Sequence, residues 1–205
     1  MKEDSSIMLE GTETSLDERI AARVHALRAA AGLSLEALAQ RSGVSRSMIS
    51  LIERGESSAT AVVLEKLATA LGVTLASLFD TPLNRSAPPG PVARAAAQPP
   101  WQDPGSGYVR RNVSPAGWPA PFQIVDVHFP PRARVAYETA ARVPPVHQQV
   151  WVLEGRIDIT VGPDHHRLET GDCLALQLDQ PVAFHNPARK PARYAVVLGT
   201  PGALA

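Results

Sequence analysis

Gly32-Leu33-Ser34-Leu35-Glu36-Ala37-Leu38-Ala39-Gln40-Arg41-Ser42-Gly43-Val44-Ser45-Arg46-Ser47-Met48-Ile49-Ser50-Leu51-Ile52-Glu53-Arg54-Gly55-Glu56 decides how the first third of the chain is read. Ser34 stands as a helix cap before a run that places Leu35, Leu38 and Ala39 on one face. Gly43 follows where the chain must leave that helix with a positive φ. Ser45 then caps a second run, Arg46 to about Arg54, which Gly55 closes. At about 100° per residue, Arg46, Ser47, Ser50 and Arg54 share one arc, and Met48, Ile49 and Ile52 share the opposite one. The spacing predicts two short helices joined by a tight turn. The second has an apolar face to bury and a face of guanidinium and hydroxyl groups to present. Such a face suits a major groove, where a guanidinium meets guanine O6 and N7. On a lone helix it would read as ordinary solvated surface; the helix and turn before it favour the groove.

The flanks extend this pattern. Ser15-Leu16-Asp17-Glu18 is a capping-box sequence, and Ile20, Val24 and Leu27 line one face of a helix that ends near Gly32. Downstream, Val63, Leu64, Leu67, Ala68 and Leu71 recur at helical spacing before Gly72, and Thr74 caps a last short helix through Leu78 and Phe79. Residues 15–80 are therefore expected to hold five short helices, after a flexible tail at 1–14. Residues 16–80 contain no proline, whereas Pro82, Pro88, Pro89, Pro91, Pro99, Pro100 and Pro104 crowd the next segment. That density breaks helix and central strand alike, so 81–106 reads as an extended linker. Beyond it the period becomes two: Arg156-Ile157-Asp158-Ile159-Thr160-Val161 alternates polar and apolar, with turns at Gly162-Pro163-Asp164 and Gly171-Asp172. Residues 107–200 are expected to form an all-β sandwich or barrel, with a short tail at 201–205.

Bulk composition constrains partners only weakly. The chain has 205 residues, 44% of them hydrophobic, with Lys+Arg 20 against Asp+Glu 20. This balance gives no basic signature, so any nucleic-acid argument must be local. Within 19–56, Arg19, Arg23, Arg28, Arg41, Arg46 and Arg54 outnumber Glu36, Glu53 and Glu56, a modest basic footprint. The single cysteine, Cys173, fits a reducing compartment and a small buried hydrophobe. No apolar run reaches the length of about 18 residues that a membrane span needs, and a cytoplasmic protein is expected.

In its turns, caps and core positions, the stretch from Gly32 to Glu56 resembles the XRE, or lambda-repressor-like, helix-turn-helix family, a likeness extending over about 16–80. The resemblance implies that Arg46, Ser47 and Ser50 face bases and that Leu51 meets a thymine methyl. Ser34, Ser45 and Arg54 fall on the same DNA-facing side. It also implies a structural ion pair between Arg28 and Glu53. Leu35 stands where the family often has a backbone-contacting Gln, so that contact is missing. A footprint this small implies a homodimer on paired half-sites of double-stranded DNA.

Val150-Trp151-Val152-Leu153-Glu154-Gly155 together with Leu168-Glu169-Thr170-Gly171-Asp172 and the segment Pro181–Asn186 resembles the cupin superfamily, a double-stranded β-helix barrel. Many cupins are metal enzymes with His and Glu ligands. By that resemblance the Glu position is Gln148, the paired His positions fall in Ala141-Arg142-Val143-Pro144, and the late His position is Val182. No ligand matches, so neither a metal, a cofactor nor an enzyme is expected. The barrel is then a small-molecule sensor, a dimerisation module, or both, and the alternative of a cupin enzyme with a DNA-binding appendage is disfavoured. His147, Gln149, Trp151 and Phe184 are candidate effector contacts, though Trp151 and Phe184 serve equally well as core. His165 and His166 read as an exposed turn, and His25 as a lone histidine.

Overall fold

The computed structural model describes residues 15–79, 90–139 and 144–199. Four α-helices open it: α1 (Leu16–Ala30), α2 (Leu35–Ser42), α3 (Arg46–Glu53) and α4 (Ala61–Ala70). Local chemistry sets each start. Ser15 and Glu18 form a reciprocal capping box, with Glu18 N to Ser15 Oγ at 3.2 Å and Ser15 N to Glu18 Oε2 at 2.7 Å. Ser34 Oγ accepts from Ala37 N at 3.1 Å, Ser45 Oγ from Met48 N at 3.3 Å, and Thr60 Oγ1 from Val63 N at 3.4 Å. Gly43 leaves α2 at φ 67°, a conformation that strains any side chain. Ile20, Val24, Leu38, Ile49, Ile52, Leu64, Leu67 and Leu78 are buried together as this half's core. Met48 departs from expectation: it is exposed, on the edge of the apolar arc of α3.

The fifth helix expected near Thr74 is a 3-10 turn, Ala76–Phe79. Its bonds run from Ser77 N to Thr74 O and from Leu78 N to Leu75 O, at 3.1 and 3.2 Å. Such a short piece has room for the tighter i to i+3 pattern only.

Ten strands follow: β1 (Trp101–Gln102), β2 (Val109–Asn112), β3 (Phe122–Phe129), β4 (Arg134–Tyr137), β5 (His147–Glu154), β6 (Arg156–Val161), β7 (Asp164–Glu169), β8 (Cys173–Gln177), β9 (Val182–His185) and β10 (Ala192–Gly199). The last eight pair first with last: β3 with β10, β4 with β9, β5 with β8 and β6 with β7, all antiparallel. Nested pairing of this kind is a jelly roll, the topology that cupins share. The strands do not close into one barrel. They form a six-stranded sheet, β1-β2-β3-β10-β5-β8, and a four-stranded sheet, β4-β9-β6-β7. Phe184 of β9 stacks on Tyr194 of β10 at 5.8 Å, joining the two inner faces. At the β5–β6 hairpin, Gly155 has φ +75°, and a Cβ there would come within 2.9 Å of Pro191 O.

Part of the expected linker is structured. Within 90–106 the chain makes a 3-10 turn at Ala95–Ala97 and then β1, so the sheet begins before residue 107. Trp101 is the reason: it is 5% exposed, and burying an aromatic that large fixes the segment against β2. The remainder, 80–89, lies outside the described residues, as do both expected tails and 140–143.

Candidate functional site

The α2–α3 face is held from behind by a partly buried ionic cluster. Arg28 Nε lies 2.6 Å from Glu53 Oε1, and Arg28 Nη2 lies 2.7 Å from Glu53 Oε2. Arg28 Nη1 also donates to Leu33 O at 2.8 Å, so one guanidinium ties α1, the α1–α2 turn and α3 together. His25 joins this cluster, with Nδ1 2.9 Å from Glu53 Oε2; it is not the lone histidine expected. An Nδ1–H that donates to the carboxylate cannot also accept from Arg28, so the 3.2 Å approach of Arg28 Nη2 is proximity only. Burial would raise the Glu53 pKa, but the hydrogen bonds from Arg28 and His25 outweigh it and hold the carboxyl below its ordinary range.

On the opposite side of α3, Arg46 and Ser47 are exposed, and Ser50 and Leu51 are half-buried. Arg46 has no hydrogen-bond or salt-bridge partner among the described residues. Arg54 is exposed but engaged: its Nε and Nη2 each reach Glu56 at 2.8 Å, and Nη1 donates to Ser50 Oγ. Ser34 and Ser45 accept cap bonds, which leaves each hydroxyl proton to be donated, and Ser45 Oγ also shares a hydrogen bond with Ser47 Oγ at 3.2 Å. Arg46, Ser47, Ser45 and Ser50 thus sit on one solvent face at the N-terminal half of α3.

The jelly-roll residues are sorted by strand parity. On β5, His147, Gln149 and Trp151 point outward, with Trp151 51% exposed, while Gln148, Val150 and Val152 point inward. His147, Gln149 and Trp151 are therefore not pocket residues; the two valines must be buried, and alternation sends their neighbours out. Phe184 is buried and does line the interior. Cys173 is exposed, contrary to expectation, because it pairs with Trp151 and shares its outward side. His165 and His166 lie in β7 rather than in a turn.

A cavity of about 80 Å³ lies between the sheets. Its walls include Tyr108, Arg110, Tyr137, Gln148, Phe184 and Tyr194, together with Glu65 of α4, Thr74 and Leu75. The helical half is thus part of the wall. Burial keeps the phenols of Tyr108, Tyr137 and Tyr194 protonated, raising each above its ordinary pKa. The two halves meet through further specific contacts. Asn112 Nδ2 donates to Ala76 O at 2.8 Å, and Asp103 Oδ1 accepts from Ala61 N at 2.8 Å at the start of α4. Phe79 meets Trp101 edge-on at 5.2 Å.

These residues do not fit a cupin metal. Gln148 and Val182 are buried where the cupin resemblance implies ligands, and among the described residues no group of three or more His, Cys, Asp or Glu could hold an ion. No helix among the described residues is long and apolar enough to cross a membrane.

Residues 24–78 match the family model HTH_3, described as helix-turn-helix. Over 162 residues the chain is 28% identical to the HTH-type transcriptional regulator SutR of Escherichia coli, covering 78% of this chain and 83% of that protein. The crystal structure of an HTH_3 family transcriptional regulator from Vibrio cholerae superposes with a TM-score of 0.71 at 24% identity, covering 91% of this chain and 97% of its own. A cupin_2 domain of an XRE family transcriptional regulator from Enterobacter cloacae aligns with 46% of this chain and 97% of its own, at 17% identity and a TM-score of 0.42. Residues 24–78 are a helix-turn-helix domain of the HTH_3 family, in a chain homologous to a transcriptional regulator.

Proposed function

We propose that this protein is a sequence-specific, double-stranded-DNA-binding transcriptional regulator, a homodimer acting on paired half-sites, whose jelly roll senses a small molecule. The observation that carries the reading is the two-sided character of α3. Its inner side is pinned by Arg28 and Glu53, and its outer side offers Arg46 without a partner among the described residues. A rigid helix with an uncommitted guanidinium is suited to docking in a major groove. In this reading Arg46 contacts a guanine edge, Ser47 and Ser50 contact base edges or phosphate, and Leu51 meets a thymine methyl. Ser34 and Ser45 donate to phosphates while capping their helices, and Arg54 exchanges Glu56 for a phosphate. The protein acts in the cytoplasm and is not an enzyme, a reading supported by its similarity to a transcriptional regulator.

The test is capture of genomic DNA fragments by the purified full-length chain at a stated salt concentration. A recurrent two-fold symmetric motif is expected. Folded protein that enriches nothing over shuffled DNA would sink the reading.

A further inference from the structure

The cavity holds one group that the regulator reading leaves unused. Arg110 is only 6% exposed, and its Nε has no hydrogen-bond partner. Its hydrogen-bond partner on the same strand is Asn112 Oδ1, a long 3.5 Å from Nη2, while the Nδ2 of that Asn donates to Ala76 O. Among the described residues no carboxylate lies within ion-pair distance of it. The guanidinium instead sits 4.4 Å from the centroid of Phe79. Buried charges are ordinarily paired, because an unpaired one forfeits its hydration without return.

Strand geometry aims Arg110 at the interior. It pairs with Val127 of β3 and with Trp101 of β1, both buried on the inner face. It therefore shares a wall of the cavity with Tyr108, Phe184 and Tyr194. The other walls are largely aromatic and aliphatic. A space of about 80 Å³ is well below the roughly 300–1,000 Å³ of pockets for drug-sized ligands, so an occupant has few heavy atoms.

We propose that Arg110 is the anion-binding group of an effector site, and that the effector is a small organic carboxylate with a compact apolar body. One planar guanidinium matches one planar carboxylate in a two-point fork. A phosphate dianion would leave a charge uncompensated among apolar walls. The inference rests on the sensor reading above and deepens it, because the same guanidinium stacks on Phe79 and the same cavity is lined by Glu65, Thr74 and Leu75. A carboxylate drawn onto Arg110 therefore touches the seam between the sheets and the helical domain. An effector that binds one seating of that seam better than another shifts the equilibrium between them.

The test is thermal denaturation and calorimetric titration of the full-length chain with butyrate, isobutyrate and benzoate, each beside its neutral amide or alcohol. At least one acid is expected to raise the melting temperature in a saturable way while its neutral counterpart does not. Arg110→Met is expected to weaken that acid's binding tenfold or more, and Trp151→Ala, on the outer face, to leave it unchanged. Should Arg110→Met fail to fold, Arg110→Lys keeps the charge but loses the fork and is expected to weaken binding as well. Equal shifts by acid and amide would overturn the carboxylate assignment while leaving a sensor intact. An undiminished response in both Arg110 variants, or no response to any acid, would overturn the proposal. DNA capture by the same preparation separates this from the regulator reading: carboxylate binding without operator capture keeps the effector site and discards the regulator.

Discussion

The two halves of the molecule each draw an arginine inward, and they treat it differently. In the helical half Arg28 is met by Glu53 from another helix, with a backbone carbonyl taking a further donor. In the sheet half Arg110 is more deeply enclosed, but its Nε has no partner and its guanidinium rests on an aromatic ring. The first arrangement is complete without help from outside the chain. The second is incomplete, and it lies on a cavity. A satisfied buried charge fixes a shape, whereas an unsatisfied one selects for whatever can satisfy it.

The largest expected effect comes from making the first half resemble the second. Glu53→Ala leaves Arg28 without its carboxylate and should destabilise the helical domain by about 3 kcal/mol, read by denaturant unfolding. A loss below about 1 kcal/mol would mean that water reaches Arg28 freely and that the contrast between the halves is false. The same pair carries a pH signature. The Glu53 carboxyl is held below its ordinary range, so its contribution is complete above about pH 5 and is lost as pH falls through the depressed value. Glu53→Gln should flatten that acid limb.

Arg46→Ala sharpens the contrast between an arginine that holds the fold and one that faces outward. Specific DNA binding should weaken by about 2 kcal/mol with the melting temperature unmoved. Unchanged affinity would remove Arg46 from the interface. Asp103→Ala tests how separate the halves are. Removing the carboxylate that accepts from Ala61 N should cost about 1 kcal/mol, with faster hydrogen exchange at that amide. Exchange unchanged at Ala61 would show the cap to be redundant with Thr60. The smallest effect is expected from Glu56→Gln, which frees an exposed arginine: Arg54 should become available to phosphate and the salt dependence of binding should steepen.

The halves also differ in how far they can be read before any coordinates exist. Helix caps and the exit at Gly43 are local chemistry, complete within four residues, and the sequence Ser34 to Gly55 states them directly. The interior of the jelly roll is set by strand parity, which has two solutions until one side chain is anchored. On β5 the aromatic and the polar residues drew attention to His147, Gln149 and Trp151, but the two valines are the anchors, and they put Gln148 inside. Arg110 was invisible for a related reason. In Tyr108-Val109-Arg110-Arg111-Asn112 two arginines stand side by side, and only pairing with Val127 shows which one is buried. The other, Arg111, meets Asp126 at 2.8 Å. Trp101 was the available clue that the proline-rich stretch is not a free spacer.

Asp103 carries a consequence for how such chains are assembled by recombination. Its Oδ1 caps α4 of the helical half, while its Oδ2 holds Ser106 N and Oγ at 2.8 and 2.6 Å in the turn before β2. A chimera joined anywhere between residues 80 and 102 would take one half of that bridge from each parent. Exchange of the sheet half between chains of this build is therefore expected to succeed only when the incoming half carries an acid at that turn, so the graft boundary is chemical rather than a matter of where the prolines fall.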